Sequence, residues 1–97
     1  MRVISRKRLK AFWDGHPDAR AQLQAWYADA KRVTWRSPAD VKGVYRNASV
    51  LVNGRVVFNV KGNRYRLVVA VQYRFGIVTI RFVGTHQAYD RIDATTI

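Results

Sequence analysis

Two hydrophobic rhythms divide this chain. Up to about residue 45 the apolar positions recur every three or four residues, and from residue 48 onward they alternate. In the first part, Leu9, Phe12 and Trp13 share one face of a helix that Ser5 is placed to cap and Gly15 to stop. Pro17 suits the first turn of a second helix, where Asp18 complements the helix dipole. Ala19, Leu23, Trp26, Tyr27 and Ala30 then form its apolar stripe, a spacing that fits core rather than a base-stacking platform. "SPADVKGVY" predicts a third, very short helix, with Ser37 as cap, Pro38 at its first position and Gly43 near its end.

The alternating part predicts strands. Asn53-Gly54 is a two-residue hairpin signal between apolar runs, and "YRLVVAVQY" and "IVTIRFV" are rich in β-branched and aromatic residues, joined at Phe75-Gly76. After Gly84, "THQAYDRI" predicts a terminal helical turn capped by Thr85. Helices first and strands after define an α+β fold, with N-terminal helices packed on one face of an antiparallel β-sheet. The 97 residues suffice for one domain spanning residues 1–97.

The strand register gathers cations. A Gly62-Asn63 loop sets Lys61 opposite Arg64, Asn59 opposite Arg66 and Val57 opposite Val68. Phe58, Val60, Tyr65 and Leu67 then point to the helix-covered face. With Phe75-Gly76 as the next loop, Arg81 falls opposite Ala70, where Val68 and Ala70 leave room around it. Asn59, Lys61, Arg64, Arg66 and Arg81 are thereby expected on one side of the sheet. Like charges so close together weaken a fold unless an anion takes them up, and a phosphate is their natural guest. The plainer alternative is a solvated sheet face whose charges keep the edge soluble.

Composition points the same way. Eighteen Lys and Arg face six acids, all Asp, for a formal net charge of +12. Thirteen of the cations are Arg, whose planar fork suits phosphate oxygens, so the partner implied is a nucleic acid. In the terminal turn His86, Tyr89 and Asp90 share a face, which offers a group that titrates near neutral pH and a hydroxyl directly after the strand carrying Arg81. His16 has no such company and reads as structural. With no cysteine, scattered carboxylates and histidines seventy residues apart, neither a metal site nor another cofactor is expected. Lack of cysteine also fits a reducing cytoplasm. Neither a signal peptide nor a membrane span is expected.

"RVVFNVKGNRYRLVVAVQY" and "GIVTIRFVGTHQAYDRID", with "SPADVK" and "YRNASVL" before them, resemble the HigB toxins of bacterial type II toxin–antitoxin systems. The resemblance spans nearly the whole chain. It implies a RelE-like fold whose open sheet face holds the active site, and an mRNA interferase acting on mRNA in the ribosome. It also implies neutralisation by a helix-turn-helix antitoxin of the HigA type, through which alone operator DNA would be bound. Cleavage of that kind needs no metal: the ribose 2′-hydroxyl attacks the adjacent phosphate and the 5′-oxygen leaves. Arg64, Arg66 and Arg81 are then the candidates to stabilise charge on the phosphate, with Lys61 joining them or activating the 2′-hydroxyl. His86 is the first candidate for the general acid and Tyr89 the second. Asn59 would orient the RNA or brace an arginine. A RelE-like toxin with another target, such as the gyrase inhibitors of the ParE type, and a non-catalytic RNA-binding module are the competing readings.

Overall fold

The computed structural model describes all 97 residues. Strand β1 (Arg2–Ile4) leads into helix α1 (Arg6–Gly15), a 3₁₀ turn (Pro17–Ala19), helix α2 (Arg20–Arg32) and helix α3 (Pro38–Val44). Strands β2 (Ser49–Val50), β3 (Arg55–Val60), β4 (Tyr65–Gln72) and β5 (Ile77–Thr85) follow, and helix α4 (His86–Tyr89) comes after them. The sheet order is β1-β5-β4-β3-β2. All pairings are antiparallel except β1 with β5, so the expected antiparallel sheet is a mixed one. Three residues are too few for an alternation to declare itself, which is why β1 leaves no readable pattern.

The helices cover one face, as the α+β reading expects. Leu9 and Trp13 of α1 and Leu23, Trp26 and Ala30 of α2 pack with Phe58, Val60, Tyr65, Leu67 and Ile80 in one core. Tyr27 packs against its margin, so the helical aromatics are core, not a platform. His16 is structural too: its ring stacks on Phe12 with centroids 4.1 Å apart, and its Nδ1 lies 3.1 Å from the Phe12 carbonyl.

The helix ends differ from the pattern in three places, the first being Ser37, which stands at the start of α3 but makes no side-chain cap. Ser5 precedes α1 but makes no side-chain cap; its φ of 71° places it in the left-handed region, where it turns the chain from β1 into the helix. Pro17 begins the 3₁₀ turn and α2 starts only at Arg20, so Asp18 is not a first-turn residue of that helix. Its carboxylate serves the β3–β4 hairpin instead.

Turn chemistry accounts for most of the sheet. Asn53 and Gly54 both have positive φ, 61° and 69°, as a type I′ turn demands, but β2 pairs Val50 with Val56, one residue off the register that a two-residue loop alone would set. Gly54 is required for a second reason: a Cβ there would lie 2.8 Å from the Val71 carbonyl oxygen of β4. The β3–β4 register pairs Asn59 with Arg66 and Val57 with Val68, as the Gly62-Asn63 turn predicts.

The β4–β5 register departs from expectation. The connection is the four-residue segment Tyr73–Gly76, not two residues, so Thr79 and not Arg81 pairs with Ala70. A bulge follows: Ile80 pairs with Val69, Phe82 pairs with Val68, and Arg81 is the extra residue. One inserted residue reverses which positions face the core. Val78 and Ile80 belong to the core before the bulge and Val83 packs against it afterwards, so Phe82 and Gly84 come to the face that carries Arg66.

Candidate active site

The second face of the sheet is partly covered. Val57 and Val68 are buried there with Ala94, and Leu51, Phe82, Tyr89 and Ile97 close around them. The segment after α4 is held across this face by Arg55 Nε, which donates to the Ile97 carbonyl at 2.8 Å, and by Asn53 Nδ2, which donates to Thr95 at 3.0 Å. Val68 therefore leaves no open room, contrary to expectation; what remains open is the end of the face where Arg66 stands.

Arg66 is the best-organised of the predicted cations. Its guanidinium carbon lies 5.8 Å from the centre of the Tyr89 ring, within cation–π range. Nη1 donates to the Tyr65 carbonyl at 3.2 Å, and Nη2 reaches Asn63 Oδ1 at 3.5 Å. Tyr89 is itself braced by Phe82, 6.5 Å away between ring centres. Phe82 in turn lies over Gly84, the partner of Arg66 in the ladder, where an added Cβ would meet the ring at 2.6 Å. A bare glycine beside Arg66 thus makes space for the rings beneath its guanidinium.

Helix α4 brings the acid–base candidates to the same end. Thr85 caps it as expected, its Oγ1 accepting from the Ala88 amide at 3.1 Å. The His86 amide donates to the Arg64 carbonyl at 3.0 Å, which docks this turn on the start of β4. His86 Nδ1 lies 3.5 Å from Asp90 Oδ1, and both side chains are about half exposed. With Nδ1 turned to Asp90, Nε2 is the ring nitrogen left for a substrate.

The other predicted residues separate from this group. Arg64 does not stand with Arg66: its Nη1 donates to Asp18 Oδ2 at 2.7 Å, on the helix side of the hairpin, and Tyr65 donates its hydroxyl to the other oxygen at 2.7 Å. Those two bonds, Tyr65 first and Arg64 second, hold the Asp18 carboxyl below the usual carboxylate range. The Tyr65 hydroxyl is pushed up in return, chiefly by its bond to Asp18. Lys61 lies in the turn with φ 53°, not in a strand pair with Arg64, and its side chain is exposed. Gln22 fixes the backbone on either side, accepting from the Lys61 amide at 2.8 Å and donating to the Asn59 carbonyl at 3.4 Å. Asn59 is exposed, and Arg81 is exposed at the bulge, its carbonyl accepting from Arg8 at 2.8 Å. Of the five residues expected on one face, the ladder joins Asn59 to Arg66, and the ion pair to Asp18 takes Arg64 away.

Asn63 was readable only as a turn former, because nothing in a turn tetrapeptide indicates which neighbour its amide will meet. The lone Gly84 at a strand end was the available signal for a close approach. No three His, Cys, Asp or Glu side chains gather into a metal-holding group.

A cation seated on an aromatic ring, with a histidine–carboxylate pair on the adjoining turn, is an arrangement suited to phosphate chemistry. Residues 19–92 match the family model of the HigB toxin, described as the RelE-like toxic component of a toxin–antitoxin system. The chain belongs to the HigB toxin family. It is 29% identical over 92 residues to the mRNA interferase toxin HigB of Escherichia coli strain K12, covering 93% of this chain and 88% of the relative. The mRNA interferases HigB of E. coli O157:H7 and Shigella flexneri match to the same extent. The mixed sheet covered by helices on one face is the α+β fold of a RelE-like toxin, and membership of a HigB family implies an antitoxin partner. No helix of this HigB-family chain is long and apolar enough to cross a membrane.

Proposed function

We propose that this toxin is an mRNA interferase: a metal-independent endoribonuclease that cuts mRNA on the ribosome, stops translation, and is silenced by a HigA-like helix-turn-helix antitoxin in the cytoplasm. The observation that carries the reading is the placement of Arg66 over Tyr89, which stands on the same helical turn as the His86–Asp90 pair. The names of the curated relatives favour it over a gyrase inhibitor or a non-catalytic RNA binder.

In the reaction, the RNA 2′-hydroxyl oxygen forms a bond to the adjacent phosphorus as the bond to the 5′-oxygen breaks, leaving a 2′,3′-cyclic phosphate. Arg66, fixed by Tyr89 and Asn63, stabilises the charge that builds on the phosphate oxygens. Lys61 at the exposed tip takes the proton of the 2′-hydroxyl, or adds its charge beside Arg66 while that proton passes to solvent water. His86 donates a proton from Nε2 to the leaving oxygen while Asp90 holds the imidazole at Nδ1. Tyr89 is the alternative donor. Asn59 and Arg81 are left to hold the RNA strand, and Arg64 acts by setting the hairpin.

Induction of the chain alone in a bacterial host tests the reading. Growth and protein synthesis should stop, mapped mRNA ends should cluster inside translated frames, and a co-expressed helix-turn-helix antitoxin should restore growth. Cleavage by purified toxin on ribosomes should survive a chelator selective for transition metals, with the Mg²⁺ that ribosomes themselves need left in place. Normal growth with soluble, folded toxin present contradicts the proposal.

A further inference from the structure

A cleft of about 420 Å³ lies between the end of α3 and the β3 edge, a size within the range of small-ligand sites. It exists because β2 pairs only with Val56 and Val57, so β3 has no strand partner on that edge from Phe58 onward. The edge is not open to another strand either, since the Gln22 amide occupies the Asn59 carbonyl and the Lys61 amide. What is left is a pocket lined by side chains.

The lining has a distinct chemistry. Tyr45 supplies a half-buried aromatic wall, its ring edge to face at 5.1 Å on the buried Phe58, and its hydroxyl is tied to Asp29 at 2.8 Å. Arg46, Asn47 and Asn59 contribute exposed polar groups, and the lining contains no acid. Asn63 completes it, and Asn63 is the residue that also meets Arg66 Nη2. The cleft therefore adjoins the phosphate-binding end of the sheet through a shared residue. Carboxamides pair a donor and an acceptor in one plane, as base edges do; aromatic walls take π-faces; a guanidinium takes phosphate oxygens.

We infer that this cleft is a subsite for one unpaired nucleotide flanking the scissile phosphate, with Asn47 and Asn59 reading the edge of its base and Arg46 holding its backbone. The inference rests on the ribonuclease reading and specifies how that site chooses where to cut. The base is splayed out of the strand against Tyr45, and its phosphate runs past Asn63 towards Arg66.

The test is end mapping of mRNA from cells expressing the parent, Asn47→Ala or Arg46→Ala, with melting curves to establish that each is folded. The parent should show a base preference at one position beside the cut. Asn47→Ala should lower the ratio of best to worst base there by about tenfold, the worth of one lost bidentate pair. Arg46→Ala should weaken cleavage at all sites without changing the preferred base. A folded Asn47→Ala toxin with the parent's base distribution overturns the subsite. An unchanged distribution together with loss of antitoxin binding in both variants assigns the cleft to a protein instead. If the parent itself produces no new ends, the ribonuclease reading has failed, and that outcome is distinct from either.

Discussion

Arg64 and Asp18, 46 residues apart in the chain, meet at 2.7 Å and turn the tip of the β3–β4 hairpin towards the helices. Two arginines separated by one position therefore have different tasks. Arg66 remains on the Tyr89 ring, which Phe82 braces, while Arg64 anchors the turn that presents Lys61 and Asn63.

This division predicts unequal mutants. The Arg64–Asp18 pair is largely exposed, so Arg64→Ala should lower the melting temperature little and retain most toxicity. Its defect should be local: faster amide exchange at Lys61 and Arg64, read by hydrogen exchange. Toxicity lost as completely as in Arg66→Ala would place Arg64 in the chemistry.

The same pair gives the fold an acid-side dependence. The depressed carboxyl of Asp18 contributes stability that is fully present above its unfolded-state pKa, near 3.8, and lost as pH falls through its lower folded-state value. Parent and Asp18→Asn should therefore differ in stability at neutral pH and converge below about pH 4. Tyr65 gives the opposite sign: its raised hydroxyl contributes below its unfolded-state pKa and is lost as alkaline pH passes the folded-state one. Melting curves across pH check both, and a constant gap between parent and Asp18→Asn down to strong acid would contradict the assignment.

Gly84→Ala should act through the rings. The new Cβ would lie 2.6 Å from the Phe82 ring, so Phe82 must move and Tyr89 loses its support. Overpacking of this kind costs about 1–3 kcal/mol. Activity should fall further than the stability loss alone explains, measured as cleavage at a temperature where the variant is fully folded. Full activity in the folded variant would mean that the Phe82–Tyr89 stack does not position Arg66.

Only Lys10, Arg32 and Arg64 have acid partners in this chain, which leaves the +12 charge largely unanswered. An antitoxin that offers Asp and Glu should associate quickly at low salt and much more slowly at physiological salt. Stopped-flow association rates against ionic strength measure this. A flat profile would move the contact to apolar surfaces.

Much of the fold was legible because its signals are local. Gly62-Asn63 sets its own register, and Asn59 met Arg66 as that turn requires, while Asn53-Gly54 marks its turn but not the pairing of Val50 with Val56 beside it. The site was legible only in part because its determinants are not local. Nothing around Phe75-Gly76 announces a four-residue connection, and nothing around Arg81 announces the bulge that puts Phe82 opposite Val68. Asp18 reads as a helix-start residue until the fold brings Arg64 and Tyr65 to it. The covering of Val68 by Ala94 likewise depends on a terminal segment with no periodicity of its own.

The central claim is that Arg66, held by Tyr89, stabilises the charge of the cleavage transition state, with His86 as the proton donor. Single-turnover cleavage of ribosome-bound mRNA by Arg66→Ala, Arg66→Lys, His86→Gln and Tyr89→Phe, each with its affinity for the ribosome, tests it directly. Arg66→Ala should cleave about 10²–10³-fold more slowly, as for the loss of one preorganised donor, and Arg66→Lys should recover only part of that. His86→Gln should bind like the parent and cleave about 10²–10⁴-fold more slowly, and Tyr89→Phe, which keeps the ring beneath Arg66, should stay close to the parent. An Arg66→Ala toxin that cleaves at the parent's rate would contradict the account.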